Sequence, residues 1–470
     1  MQSLVNAAKP FRISNADAPT LLLHANAVGE DRGKSTASHF LRKGAFGHRV
    51  LTLMSAIVVA QVLSVLAAPI LSRLYDPAAF GVYAMYTTVL MLSAPFVCGR
   101  YELAIVPADT DDEAFGLLLI SCVTAVLFGV VTLLALQEYR ALAFLGLKPI
   151  AKYSIAVAIS AVLNGLFPAF VQYWIRETQF RKLAVSQIVR SVAMTGGQVS
   201  IAEINPAGAS GMIIGQMGGI ALSILILGRT LPSRFASWKT RHRGEALRTL
   251  RTLAVRHRNH PIFLPWGGLV DALGHKLPVL MLSVFYGPVF LGMYSLADRL
   301  LKTPSMLIGE SSAQVLFQKM TEPDVKARMP RLIAVWALGM TLLAVLPFTL
   351  LHFFSRPLFT FALGKQWALA GSIAAVLIPI YWGGLVVSPI SNLLVIGNRQ
   401  ALSVLIQVLF LVVGFGSLWI GHRIFSDGVQ TLRLYSIAQW CVYVIYYAAL
   451  IGTAKLVARK QTEWSDQCAV

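Results

Sequence analysis

Eight ionisable side chains lie inside stretches that are otherwise apolar: Arg190, then Asp271, His275 and Lys276, then Asp298, Arg299, Lys302 and Glu310. Placing charge in such a stretch is costly, so these groups face a cavity or one another. Asp271 and His275 are four residues apart, as are Asp298 and Lys302, which puts each pair on one face of a helix. One reading is that the pairs partly neutralise each other and pin two helices. The other is a hydrated cavity with positive charge to spare, because Arg190, Lys276 and Arg299 have no obvious local partner. A spare guanidinium beside water suits a phosphate, which it binds through two hydrogen bonds. Asp271, His275, Asp298 and Lys302 are then candidates for lining the cavity or coupling transport to an ion.

Other motifs carry less. Asp109-Thr110-Asp111 is a D-x-D, the pattern with which glycosyltransferases hold a metal and a nucleotide sugar. Here it sits in a short loop with no nucleotide-binding domain around it. No Walker A sequence is present, so direct use of ATP is unsupported. Cys98, Cys122, Cys441 and Cys468 form no CxxC, and no disulfide framework, metal site or cofactor is expected.

The elements that must position these groups are membrane helices. The 470 residues are 56% hydrophobic and 13% charged, against about 25% charged in soluble proteins. Runs of about 20 apolar residues, enough to cross a bilayer as a helix, recur along the chain. Twelve spans are expected: Val50–Leu71, Gly81–Cys98, Ala114–Leu136, Ile150–Trp174, Leu183–Ala202, Ala209–Leu227, Ile262–Phe285, Val289–Ala313, Leu332–Phe354, Ala368–Leu394, Ala401–Ile420 and Tyr435–Leu456, numbered 1 to 12. Pro379 and Pro389 mark span 10 as kinked, by packing or as a hinge. The net charge of +19 does not indicate nucleic acid. Its Lys and Arg fall mainly between spans and on one side, which by the positive-inside rule puts both termini in the cytoplasm. The connections on the other side are short, so a large extracytoplasmic catalytic loop is absent.

The chain also repeats itself. Ser72 to Tyr83, SRLYDPAAFGVY, aligns with Ser283 to Tyr294, SVFYGPVFLGMY, at an offset of 211. Tyr75 falls on Tyr286, Pro77 on Pro288 and Gly81 on Gly292, while Arg73 of the first copy has no basic counterpart. Each copy is a tight turn between two apolar runs, with proline and glycine supplying the turn. Six spans separate the copies, so two parallel six-helix halves with a cleft between them are expected.

The residues SRLYDPAAFGVYAMY (72–86) and RYELAIVPADTDDEA (100–114) resemble the start of bacterial polysaccharide-repeat flippases of the Wzx type. GMYSLADRLLKTPSMLIGESSAQVLF (292–317), LGKQWALAG (363–371) and VVSPISNLLVIGNRQ (386–400) resemble later stretches of the same family, in the same order. The resemblance implies an all-α membrane protein of the multidrug/oligosaccharidyl-lipid/polysaccharide exporter superfamily, with two six-helix lobes around a central cavity. It implies a non-enzymatic flippase that moves an undecaprenyl-diphosphate-linked oligosaccharide to the periplasmic leaflet of the bacterial inner membrane. The partners implied are that lipid-linked sugar, membrane lipid, and a polymerase and chain-length regulator of the same pathway. Arg299, Lys276 and Arg190 as diphosphate contacts rest on the residues themselves, since the family's basic cavity residues follow no single motif.

The expected division is a cytoplasmic tail (1–49), an N-terminal lobe (50–228), a basic linker (229–261), a C-terminal lobe (262–457) and a C-terminal tail (458–470). An ion-coupled exporter of small molecules would share this fold, although such a pocket calls for apolar, aromatic or acidic walls rather than spare cations. Lys276 and Arg299 are expected to share the central cavity.

Overall fold

The structure is a computed structural model, and it describes residues 43–137, 147–204 and 208–468. Most of the expected tail, 1–42, lies outside the described residues. The chain divides into two compact units, Met1–Met54 and Ser55–Val470. In the first, the described residues are helical from Lys43. The second carries the remaining described residues.

The described residues of this second unit are helical, with no strand among them. Among the described residues of the chain, ten helices are long and apolar enough to cross a membrane. Two further spans bring the number to twelve. Asn259–Ser305 holds two spans, because the chain reverses at Gly287 (φ 74, ψ −176). The reversal is plain from side chains: His275 before the glycine and Lys302 after it line the same cavity. Phe180–Ile204, span 5, is a 25-residue helix whose polar content keeps it out of the apolar set. Span 10 is not one continuous helix to Leu394. It runs Ala368–Val387, then opens into a 3-10 turn at Ser388–Ile390, where Pro389 has no N–H to continue the ladder.

The helices pack in a pattern that occurs twice. In the first half span 3 packs on 4, 5 on 6, 4 on 6, 2 on 4 and 1 on 5. In the second half span 9 packs on 10, 11 on 12 and 10 on 12, while Asp298 meets Tyr381 between spans 8 and 10 and Leu277 lies against Gly414 between spans 7 and 11. The repeated turn explains why the halves meet where they do. Asp76 caps span 2 by accepting from Ala79 N at 2.7 Å, whereas Gly287 at the same place in the second copy breaks the helix through its left-handed φ. Tyr75 then reaches span 5, donating to Gln198 O at 2.7 Å. Tyr286 hydrogen-bonds Thr431 Oγ1 at the start of span 12, also at 2.7 Å, and its ring meets His422 of span 11.

Spans 2 and 8 cross at the repeated glycines. A Cβ on Gly81 would overlap the Pro288 carbonyl, and one on Gly292 would overlap the Pro77 carbonyl. Such reciprocity, with residue i on j and the copy of j on the copy of i, is what a two-fold contact produces. Small residues let the two backbones touch. Beside this crossing, Trp367 Nε1 and Gln366 Nε2 both donate to Ser72 O at 2.8 Å. Ser72 Oγ donates to Leu363 O at 3.1 Å, and Phe80 stands edge-on to Trp367 at 5.0 Å. The outer end of span 1 is thereby locked to the connection between spans 9 and 10. Arg73 is exposed and takes no part.

Candidate functional site

The second half encloses a cavity of about 540 Å³ between spans 7, 8, 10, 11 and 12. Span 7 contributes Asp271, His275 and Lys276, and span 8 contributes Asp298 and Lys302. The i, i+4 spacing does place each pair on one face, and all five side chains reach the same space. The pairing expected between Asp298 and Lys302 and between Asp271 and His275 is not what the side chains do, since no ion pair joins them. Asp298 turns instead to phenols, accepting from Tyr381 of span 10 and from Tyr294 one turn back at 3.5 Å. A carboxylate satisfied by two hydroxyls leaves the lysines to the cavity. The side chain of Glu310 lies outside the described residues.

Arg299 does not share this space. It is one residue past Asp298, about 100° further round the helix, and its guanidinium donates to Ser64 Oγ and Ser64 O of span 1. Arg190, on span 5, lies over the Phe167 ring at 4.8 Å. Both guanidiniums are within electrostatic reach of the Tyr83 hydroxyl of span 2, which donates to Gln216 Oε1 of span 6 at 2.5 Å. No carboxylate pairs with either arginine among the described residues. The structure therefore sets Arg190 and Arg299, from opposite halves, around Tyr83 and places Lys276 in the second-half cavity, against the expectation that Arg299 and Lys276 share one cavity. The physical reason is angular, because span 8 turns Asp298 and Arg299 to different neighbours. Depth also agrees: Arg190 is ten residues into its helix and Arg299 eleven residues past Pro288, each about 15 Å from its end and so near mid-membrane.

The basic linker is more than a connection. It folds into two helices, Leu231–Arg241 and Ala246–Arg256, that dock on the acidic start of span 3. Arg241 pairs with Asp112 at 2.8 Å, and Arg256 with Asp109 at 2.8 Å and Glu113 at 3.2 Å. Trp238, 2% exposed, donates to Asp112 O. Asp111 pairs with Arg176 of span 4 at 3.1 Å, so both carboxylates of the D-x-D are engaged by arginines. Arg234 pairs with Glu177 at 2.8 Å, and that carboxylate holds its pKa above the ordinary value. Trp238, Leu250 and Leu253 are the linker's inward-facing apolar positions, and Gly116 leaves room for them.

Residues 70–371 match the family described as Polysaccharide biosynthesis protein. The chain belongs to that family. Comparison with the curated proteins finds no match. Among solved structures, the chain is similar to an inward-facing multidrug resistance MATE family transporter of the MOP superfamily, with 12% identity, 87% of this chain and 99% of that one covered, and a TM-score of 0.55. A eukaryotic MATE transporter, AtDTX14, aligns at 12% identity over 88% of this chain and 97% of its own, with a TM-score of 0.44. At such identity the first likeness speaks for the fold: this polysaccharide biosynthesis protein is a multi-pass membrane protein with a MATE-like transporter architecture.

Proposed function

We propose that this protein is a flippase that carries a polyprenyl-diphosphate-linked oligosaccharide from the cytoplasmic to the periplasmic leaflet of a bacterial inner membrane by alternating access. The observation that supports this reading most is the pair Arg190 and Arg299. They come from opposite halves, lie near mid-membrane and lack carboxylate partners among the described residues. A diphosphate cannot cross hydrocarbon unaided, and two guanidiniums offer it bidentate hydrogen bonds in place of water. The moving bodies are 50–228 and 262–457, hinged where Gly81 and Gly292 let spans 2 and 8 touch. Lys276 would assist from the second-half cavity, where Asp271, His275, Asp298 and Lys302 serve as the ion-coupling group. Membrane lipid surrounds it, and the polymerase and chain-length regulator receive its product.

The test is flipping in proteoliposomes, read by access of an impermeant reagent to the lipid-linked sugar. Arg299→Ala should abolish flipping with protein abundance unchanged, and Arg299→Lys should restore only part, because a lysine gives no planar fork. Normal flipping by Arg299→Ala would remove the reading. The second reading, an ion-coupled exporter of small molecules, draws on Asp298 and Asp271 in an aromatic-walled cavity. It is favoured if Asp298→Asn stops export of an organic cation while Arg299→Ala does not.

A further inference from the structure

We propose that a groove on the outer part of the second half is a binding site for an anionic phospholipid of the outer leaflet. The groove, about 760 Å³, runs between spans 9 and 12 over span 10. Three basic side chains line it: His352 and Arg356, one turn apart on span 9, and Arg433 near the start of span 12. No carboxylate is among its lining residues, and neither arginine has an ion-pair partner among the described residues. Apart from Thr349, Ser355 and Ser372, the rest of the wall is apolar, including Val345, Phe353 and Ile437, of which the last two are 71% and 52% exposed.

Depth places this cluster at a headgroup layer. Span 9, Met329–Leu363, has 35 residues, or about 52 Å, against a hydrocarbon core of about 30 Å. About 11 Å therefore projects at each end. Arg356 is seven residues from the outer end, about 10 Å, and Arg433 is five residues from Gly428, about 8 Å. Both guanidiniums thus stand at the outer boundary of the hydrocarbon, above an apolar trough wide enough for an acyl chain.

The first half shows that the fold does not require these charges. Its corresponding helices, Asp111–Ala135 and Ser210–Gly228, contain no Lys, Arg or His. The positive-inside bias makes outer-side arginines the exception in this chain, and here two of them converge from separate helices. The chemistry fits a phosphodiester held between two guanidiniums. A resident phospholipid fits better than the transported lipid, because spans 7 and 8, which meet the other half, contribute nothing to the groove.

The experiment uses delipidated full-length protein in detergent and native mass spectrometry. Phosphatidylglycerol is expected to bind about tenfold tighter than phosphatidylcholine of the same chains, a margin of the size charge-assisted contacts supply. Arg356→Gln with Arg433→Gln should erase that preference. Ile437→Trp, which fills the trough and leaves the charges, should weaken both lipids. Arg73→Gln with Lys365→Gln, outer basic residues away from the groove, should change nothing. The proposal is overturned if the groove double variant keeps the preference, if inorganic phosphate competes as well as phosphatidylglycerol, or if polyprenyl diphosphate displaces phosphatidylglycerol at lower concentration.

Discussion

The two halves share a skeleton and differ in what it carries. At the offset of 211, Tyr75 and Tyr286 each tie a turn to its own half, and Gly81 and Gly292 each receive the other's proline carbonyl. Along the same helices the charges do not repeat. Asp271, His275, Lys276, Asp298, Arg299 and Lys302 correspond to Ala60, Ser64, Val65, Thr87, Thr88 and Met91. The same pairings thus form in the first half without charge at these positions, although charge is costly inside a membrane. One of the substitutions makes the contact between halves, because Ser64, at the place of His275, is the acceptor of Arg299.

The largest expected effects lie at the shared crossing. Gly292→Leu and Gly81→Leu should each prevent stable folding or cost more than about 3 kcal/mol, since the clash is with backbone that cannot move aside. Thermal unfolding in detergent measures this. A reciprocal contact requires the two variants to suffer alike, so a tolerated Gly81→Leu beside a ruined Gly292→Leu would break the symmetry argument.

Next comes the contrast in charge. Asp298→Asn should reduce gradient-driven flipping about tenfold or more, as expected for an intramembrane carboxylate in a coupling site. Its counterpart change, Thr87→Val, should leave flipping within about twofold, as for a substitution away from the chemistry. Equal losses from both would mean that position in the helix matters, not charge.

A smaller effect separates the inner ends of spans 2 and 8. Glu102, in the connection after span 2, is 7% exposed, and burial raises its pKa above the ordinary 4.5. A carboxyl whose folded pKa is raised stabilises the fold while it is protonated, and that contribution is lost as pH rises through the folded value. The second half has Ala313 at this offset. Glu102→Gln should raise the unfolding temperature near about pH 8 and leave it unchanged near about pH 4. A variant that is less stable at the higher pH would show that Arg100, 4.0 Å away, outweighs burial.

Much of this was legible in the residues. Apolar length gave the twelve spans, and the Tyr-x-Pro-x-x-x-Gly repeat gave the two halves, because turns and close backbone contacts demand particular residue types. The i, i+4 spacing of Asp271 with His275 and of Asp298 with Lys302 groups four side chains that line one cavity. It could not say that Asp298 prefers Tyr381, 83 positions away, nor that Arg299 turns to the other half. Those outcomes depend on rotation of one helix against distant ones. In the linker, the density of charge masks the apolar stripe of Trp238, Leu250 and Leu253. Its partner, the start of span 3, is over a hundred residues earlier in the chain, so no local pattern announces the docking.

The smallest effect tests the repeated tyrosines themselves. Tyr75 is 1% exposed, and its hydroxyl donates to the backbone carbonyl of Gln198. Tyr75→Phe removes the donor and leaves a buried acceptor beside a ring with no replacement for it, so a cost of about 1–2 kcal/mol is expected. Tyr286 is only half-buried, and its partner is a hydroxyl with another outlet, since Thr431 Oγ1 also reaches Asp427 O at 3.4 Å. Tyr286→Phe lets Thr431 turn to that carbonyl, and the cost should fall to about 0.5 kcal/mol. The same residue in the same motif is thus expected to contribute unequally, which denaturant titration of the two variants in one detergent resolves. Equal costs would mean that the turn is stabilised by the aromatic ring's packing in both halves and that the hydroxyl adds little in either.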